Sequence, residues 1–364
     1  MTTIPDITII GGGIIGLLTA RELTMAGARV SILEKNAIGR ESSWAGGGIL
    51  LPIYPWRQPS AISELVRHSL DIYPTLATEL RESTGIDPEW SPCGLFISRN
   101  PDIERAIDWC ERYSIDYRTA QTPSLDNLNC DPLNPLWLPD IAHTRNPRLL
   151  KSARRDAENR NVELLEHCDV QNVTVNNGRI VSLTTDRGER SVGHLIVSAG
   201  AWTNILFERF FPGLAAPDIK PIKGQMLLYD APPDLLPGMI LENDHYLIPR
   251  LDGKILAGSS VEQCGFDKST SEATYHKIKS FAEQLCPALK RASIISHWAG
   301  LRPGTAHGVP YIFRHPDLEN LSVNAGHFRN GLVMAPASTS LMADLILGKT
   351  PMLDPEPYNL LAPH

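Results

Sequence analysis

Four β-branched residues, Ile7 to Ile10, stand directly before three glycines, and the stretch from Gly16 to Ala28 then carries apolar residues at helical spacing. That pattern predicts a strand, a turn and a helix. Gly27 ends the helix and Val30 to Glu34 supplies a second apolar strand, so a right-handed βαβ unit is expected. After Lys35 the chain becomes glycine-rich and then proline-rich from Gly46 to Pro59, before a helical pattern from Ala61 to Ser83. Between Trp90 and Trp137 the pattern is mixed, with a strand candidate at Gly94 to Ser98 and a helix candidate at Ile103 to Tyr113.

Further on, a helix over Arg148 to Asn161 leads into strands at Val162 to Leu165 and Val170 to Thr174. Hairpin signals after Arg179 return the chain to an apolar strand, Leu195 to Ser198. Between Lys223 and Val261 apolar runs at Gln225 to Tyr229, His245 to Pro249 and Lys254 to Val261 are divided by turn residues, the pattern of an antiparallel sheet. A helix from Ser271 to Leu285 follows, and another from Leu332 closes the chain with Gly348 as its cap.

At 364 residues the chain exceeds what one hydrophobic core usually serves, which favours two domains. Apolar residues make up 42% and charged residues 21%, so neither a disordered nor a fibrous composition fits. The net charge is −7 and no basic stripe is present, which argues against nucleic acid as a partner. Six scattered cysteines without a CxxC pair suggest neither a zinc site nor a disulfide framework and read as reduced cytoplasmic thiols. The first residues lack a basic n-region and glycines interrupt their apolar run, so neither a signal peptide nor a membrane span is expected there.

Gly11, Gly13 and Gly16 satisfy GxGxxG between the predicted strand and helix. In such a loop the first glycine makes the tight turn, the second admits a diphosphate to the backbone, and the third lets helix and strand pack closely. The helix N-terminus, with Ile14 and Ile15, offers N–H groups and partial positive charge to that diphosphate. Glu34 ends the next strand, beside Lys35, where a carboxylate can accept ribose hydroxyls and repel a 2′-phosphate. Ser42, Ser43 and Gly46 to Gly48 lie just beyond and suit a cofactor that extends toward an isoalloxazine ring, which argues for FAD over NAD. His327, Phe328, Arg329, Asn330, Gly331, Leu332 and Val333 lead into the closing helix, whose N-terminus can stabilise the negative charge of a reduced flavin.

With these residues, ESSWAGGGIL (41–50), VSAGAW (197–202), PIKGQ (221–225), YLIPRLDGKILAGSSVE (246–262), GLRPGT (300–305) and GHFRNGL (326–332), the chain resembles the D-amino-acid oxidase and glycine oxidase group of FAD enzymes. Within it the bacterial glycine oxidases are most similar. The resemblance spans nearly the whole chain. It implies a Rossmann-type FAD-binding domain, built from 1–85, 146–220 and 299–364, interleaved with an antiparallel-sheet substrate domain, built from 86–145 and 221–298. It also implies oxidation of glycine, sarcosine and small D-amino acids to an imine, with electrons passed to oxygen to give hydrogen peroxide. A homotetramer serving synthesis of the thiamine thiazole ring goes with it, as does Val170 among the FAD contacts.

On the substrate side, a small amino acid offers mainly a carboxylate and an amine, and a guanidinium fork fits a carboxylate. Arg302 matches the group's carboxylate-binding arginine, Tyr246 a tyrosine that donates to the same carboxylate, and Arg329 a second arginine near the substrate. His245 and His327 are expected to be structural. The related monomeric sarcosine oxidases hold flavin through a cysteine, and residues 298–334 contain none, so noncovalent FAD is expected. Two other readings compete: a D-amino-acid dehydrogenase that reduces a membrane quinone, and a flavin-binding sensor without turnover.

Overall fold

In the computed structural model, which describes residues 4–120 and 123–362, the strand Ile7–Ile10 lies between Val30–Leu33 and His194–Val197, parallel to both. The six-stranded sheet runs Tyr311–Arg314, Leu321–Ala325, His194–Val197, Ile7–Ile10, Val30–Leu33, Glu163–Leu165, and only the edge strand Tyr311–Arg314 is antiparallel. A parallel sheet is buried on both faces, and alternation along the strands provides for this. Ile7, Ile9 and Ile32 pack with Leu17 and Leu23 of the helix Ile14–Met25. Ile10, Leu33 and Leu195 face the other way, onto Phe207 and the apolar side of a three-stranded sheet formed by Val170–Asn176, Arg179–Thr185 and Gly188–Ser191.

The second body is a seven-stranded sheet in the order Ser293–Thr305, Ile219–Asp230, Ile255–Gly258, His245–Pro249, Met239–Glu242, Leu95–Ile97, Leu136–Leu138. Its pairings are antiparallel as expected, except that Met239–Leu241 runs parallel to Leu95–Ile97. Period-two alternation sorts its faces. Leu227, Tyr229 and Leu247 pack against the helix Glu272–Leu285, whereas Met226, Tyr246, Ile248 and Leu256 turn toward the helix Ser60–Thr84 and the helix Gly331–Leu347.

The changes of domain expected at 220/221 and 298/299 lie within the antiparallel strands Ile219–Asp230 and Ser293–Thr305, which pair from Ile219 opposite Thr305 with a register shift between Leu228 and Tyr229. Their shared ladder carries the chain in the second sheet until Thr305. The closing segment Phe328–Leu347 is long and apolar enough to cross a membrane, an 18-residue stretch of it reaching mean hydropathy 1.2, but 61% of that stretch is buried inside the protein. Val333, Met334 and Leu341 enter the core under the seven-stranded sheet, and Ala335 and Ala343 enter the one under the parallel sheet. A helix apolar all round is what a position between two cores requires.

Candidate active site

One long cleft runs from the C-terminal ends of the parallel strands to the inner face of the seven-stranded sheet. At its first end the chain turns so tightly that side chains have no room. Gly11 has φ +114°, and a Cβ there would stand 2.3 Å from the Ser198 carbonyl oxygen. A Cβ on Gly16 would meet the Gly11 carbonyl oxygen at 2.0 Å. Gly16 is not among the residues lining the cleft and serves to seat the helix on the turn.

Glu34 lines the cleft with its carboxylate already fixed: Gly12 N–H donates to one oxygen and Asn36 N–H to the other, each at 2.9 Å. A carboxylate accepts about four hydrogen bonds, so capacity remains for ribose hydroxyls. Ser43 Oγ accepts from Ile14 N–H at 3.1 Å and ties the serine-glycine loop to the start of the helix. Asn146, which carries no local motif, holds the same loop through Nδ2 to the Ser43 carbonyl at 2.7 Å. Gly48, at φ +85°, passes so near Thr144 that a Cβ would stand 2.1 Å from its carbonyl oxygen.

At the other end Arg302, on the strand Ser293–Thr305, lays its guanidinium flat on Gly224, where a Cβ would approach Nη2 to 2.1 Å. Nη1 donates to the Ser260 carbonyl at 3.0 Å and Nη2 to Ser259 Oγ at 2.9 Å. Among the described residues no carboxylate stands within ion-pair distance of it. Burial pushes the guanidinium down to about 10, with Tyr246 opposing and the Arg329 charge adding to the effect, so it stays charged at neutral pH. Tyr246 lies beside it on His245–Pro249, its hydroxyl against Gly47 and 3.9 Å from Met226 Sδ. Arg329 lines the cleft as well, and its Nη2 is buried without a hydrogen-bond partner.

His327 is buried at the edge of the cleft, with Nε2 3.1 Å from Ser338 Oγ, and burial pushes it down to about 3. It is a neutral structural ring. His245 lies away from the cleft, with Nδ1 near the Asn243 carbonyl and its ring tilted against Phe281. Val170 and the residues from His327 to Leu332 line the cleft, but Val333 does not: one step into the helix, its side chain points into the core.

The cleft fits an extended flavin dinucleotide. Asn146 Oδ1, Ser198 Oγ and Asn324 Oδ1 border it as buried polar atoms without partners, together with Arg329 Nη2. Buried polar groups are ordinarily satisfied, so these four leave hydrogen-bonding capacity unused along the cleft. Ser198 directly follows the strand His194–Val197 and Asn324 lies one residue before the end of Leu321–Ala325, next to the switch point where such sheets bind ligands; their sequence neighbourhood carries no signature beyond VSAGAW.

The family model described as DAO, FAD dependent oxidoreductase, matches residues 6–345. A glycine oxidase of Pseudomonas aeruginosa is 41% identical over 360 residues, covering 97% of both chains. A bifunctional protein ThiO/ThiG of Synechocystis is 29% identical across 95% of this chain and 52% of its own length. The crystal structure of glycine oxidase from Geobacillus kaustophilus superposes with a TM-score of 0.90 at 27% identity, over 99% of each chain.

Proposed function

This chain belongs to the DAO family of FAD-dependent oxidoreductases, and from that premise we propose that it oxidises glycine, with sarcosine and small D-amino acids as further substrates. FAD is its cofactor. The observation that carries the substrate reading is Arg302: a charged guanidinium in the cleft whose hydrogen-bond partners are neutral oxygens, beside the hydroxyl of Tyr246.

A substrate carboxylate would supply the missing countercharge, with the planar fork fixing its orientation and Tyr246 donating to it. Arg329, with a free buried N–H, would add positive charge at the substrate side. The adenosine end would rest on Gly11, Gly13, Ile14 and Ile15, with Glu34 on the ribose, Lys35 and Val170 beside it, and Ser42, Ser43 and Gly46 to Gly48 along the chain. The loop from His327 to Leu332 would receive the ring. When bound, FAD supplies the acceptor for the α-hydrogen leaving as hydride.

The lining residues hold no poised base for this step. Their single histidine is the neutral His327, and their carboxylates are Glu34, Glu41 and Asp169, which gather around the loop after the second strand. On this reading the amine binds neutral, and the chain contributes alignment and exclusion of water. We further read the FAD as noncovalent, the electron acceptor as oxygen, the assembly as a homotetramer in the cytoplasm, and the imine product as a precursor of the thiamine thiazole ring.

A peroxide assay with glycine, sarcosine, D-alanine, D-proline and L-alanine tests the reading. Peroxide from glycine and sarcosine is expected; activity confined to L-alanine would sink it. Slow reoxidation by oxygen after anaerobic reduction would favour the quinone-linked alternative.

A further inference from the structure

Arg250 follows the strand His245–Pro249 and is 8% exposed. Its fork reaches two segments of the chain. Nη2 donates to the Gly47 carbonyl at 2.7 Å, and Nη1 donates to His143 Nδ1 at 3.0 Å and the Thr144 carbonyl at 2.9 Å. All three acceptors are neutral, because burial pushes the His143 ring down to about 3. The charges nearby, Arg145 with Glu89 and Asp252, form their own ion pairs further out. A buried cation with neutral acceptors only is costly, and nothing in the reaction described above uses it.

Its position explains what it does. Tyr246, Ile248 and Arg250 alternate onto one side of the chain, and that side meets Gly47. A Cβ on Gly47 would stand 2.9 Å from Ile248 Cδ1 and 3.3 Å from the Tyr246 hydroxyl. The glycine thus has Tyr246 and Ile248 against its Cα and Arg250 on its carbonyl. Thr144 N–H also donates to the Gly48 carbonyl at 2.9 Å, so the second arm of the fork holds the support behind the same loop.

We propose that Arg250 is a positioning residue for substrate binding, which clamps the Gly46–Gly48 loop against Tyr246 and so fixes where the tyrosine hydroxyl meets a substrate carboxylate. This rests on the carboxylate role given above to Tyr246 and Arg302.

The test is a double-mutant cycle on the FAD-loaded enzyme, read by the change in flavin absorbance on titration with acetate, a carboxylate that undergoes no oxidation. Arg250→Met is expected to weaken acetate binding about fivefold when Tyr246 is present and less than twofold in the Tyr246→Phe background, since coupled residues are non-additive. Arg250→Lys, which keeps the charge but cannot span the three acceptors, is expected to show a smaller loss with the same dependence on Tyr246, and it carries the test if Arg250→Met does not retain FAD. Unchanged acetate affinity in a folded Arg250 variant, or an equal loss in both backgrounds, overturns the proposal. Absence of peroxide from glycine with the wild-type enzyme would count against the glycine reading alone, because acetate binding needs no turnover.

Discussion

The two ends of the cleft are built from different materials. At the end proposed for adenosine the lining is built by backbone: the turn at Gly11, the helix start at Ile14, and a carboxylate, Glu34, fastened by two N–H groups. At the end proposed for substrate it is built by side chains, Arg302, Tyr246 and Arg329, drawn from three separate parts of the chain. A fault in the first should destroy the fold or its hold on FAD. A fault in the second should leave a folded yellow protein that handles substrate poorly.

The largest expected effect lies at Gly11. Gly11→Val must place a branched side chain at φ +114° and within 2.3 Å of the Ser198 carbonyl oxygen, in the middle of the parallel sheet. The loss should be on the order of 4 kcal/mol or more, read as a collapse of the thermal unfolding midpoint and of FAD retained through gel filtration. A stable Gly11→Val protein that keeps its flavin would dissolve the contrast between the two ends.

Next comes Arg302→Ala, which should leave the unfolding midpoint and FAD content nearly intact while kcat/KM for glycine falls by an amount equivalent to about 2 to 5 kcal/mol. The guanidinium touches carbonyls and one hydroxyl rather than a carboxylate, so no buried protein anion is stranded by its removal. Steady-state kinetics at saturating FAD decides the matter, and unchanged glycine kinetics would remove Arg302 from the site.

This difference in material also governs how much could be read in advance. The strand from Ile7, the glycines and Glu34 lie within one contiguous stretch, and each has a local reason for its residue type, so spacing alone exposed them. Arg302 and Tyr246 are ordinary in their own neighbourhoods. They meet because Ile222 pairs with Arg302 and Met226 and Tyr246 both face Gly258 across the sheet, a long-range register that no local pattern encodes, and resemblance to a family had to supply them. Asn146, Ser198 and Asn324 are equally silent in the sequence, since a single unpartnered amide or hydroxyl leaves no periodic trace. The sequence marks where the closing helix begins but not how its first turn is rotated, which is what sends Val333 into the core.

His327 sits where a catalytic base could be imagined, and acid sensitivity separates the two roles. Burial holds the folded ring down at about 3, whereas in the unfolded chain a histidine titrates near 6.5. Between these values the unfolded chain takes up a proton that the folded protein refuses, so stability falls as pH drops through this window. At pH 5 the loss should be about 2 kcal/mol from this ring, measured by denaturant unfolding at pH 7 and pH 5. His327→Gln should show a shallower loss between those pH values while retaining turnover at pH 8. A variant that keeps the wild-type pH slope and loses turnover instead would make His327 part of the chemistry.

The smallest effect should come from Tyr246→Phe, and its form matters more than its size. The ring is 7% exposed and packs in the core under the seven-stranded sheet, so phenylalanine should hold the same place and stability should hardly change. On the proposed role, what is lost is one donor to the substrate carboxylate, a group that does not change charge while the Cα–H bond breaks. A bond of equal strength in the ground state and the transition state lowers KM without raising kcat. The expected result is therefore a KM for glycine raised several-fold, equivalent to about 1 kcal/mol, at nearly constant kcat. A fall in kcat at constant KM would mean that the hydroxyl acts on the reacting centre, and the substrate end would then contain chemistry as well as grip.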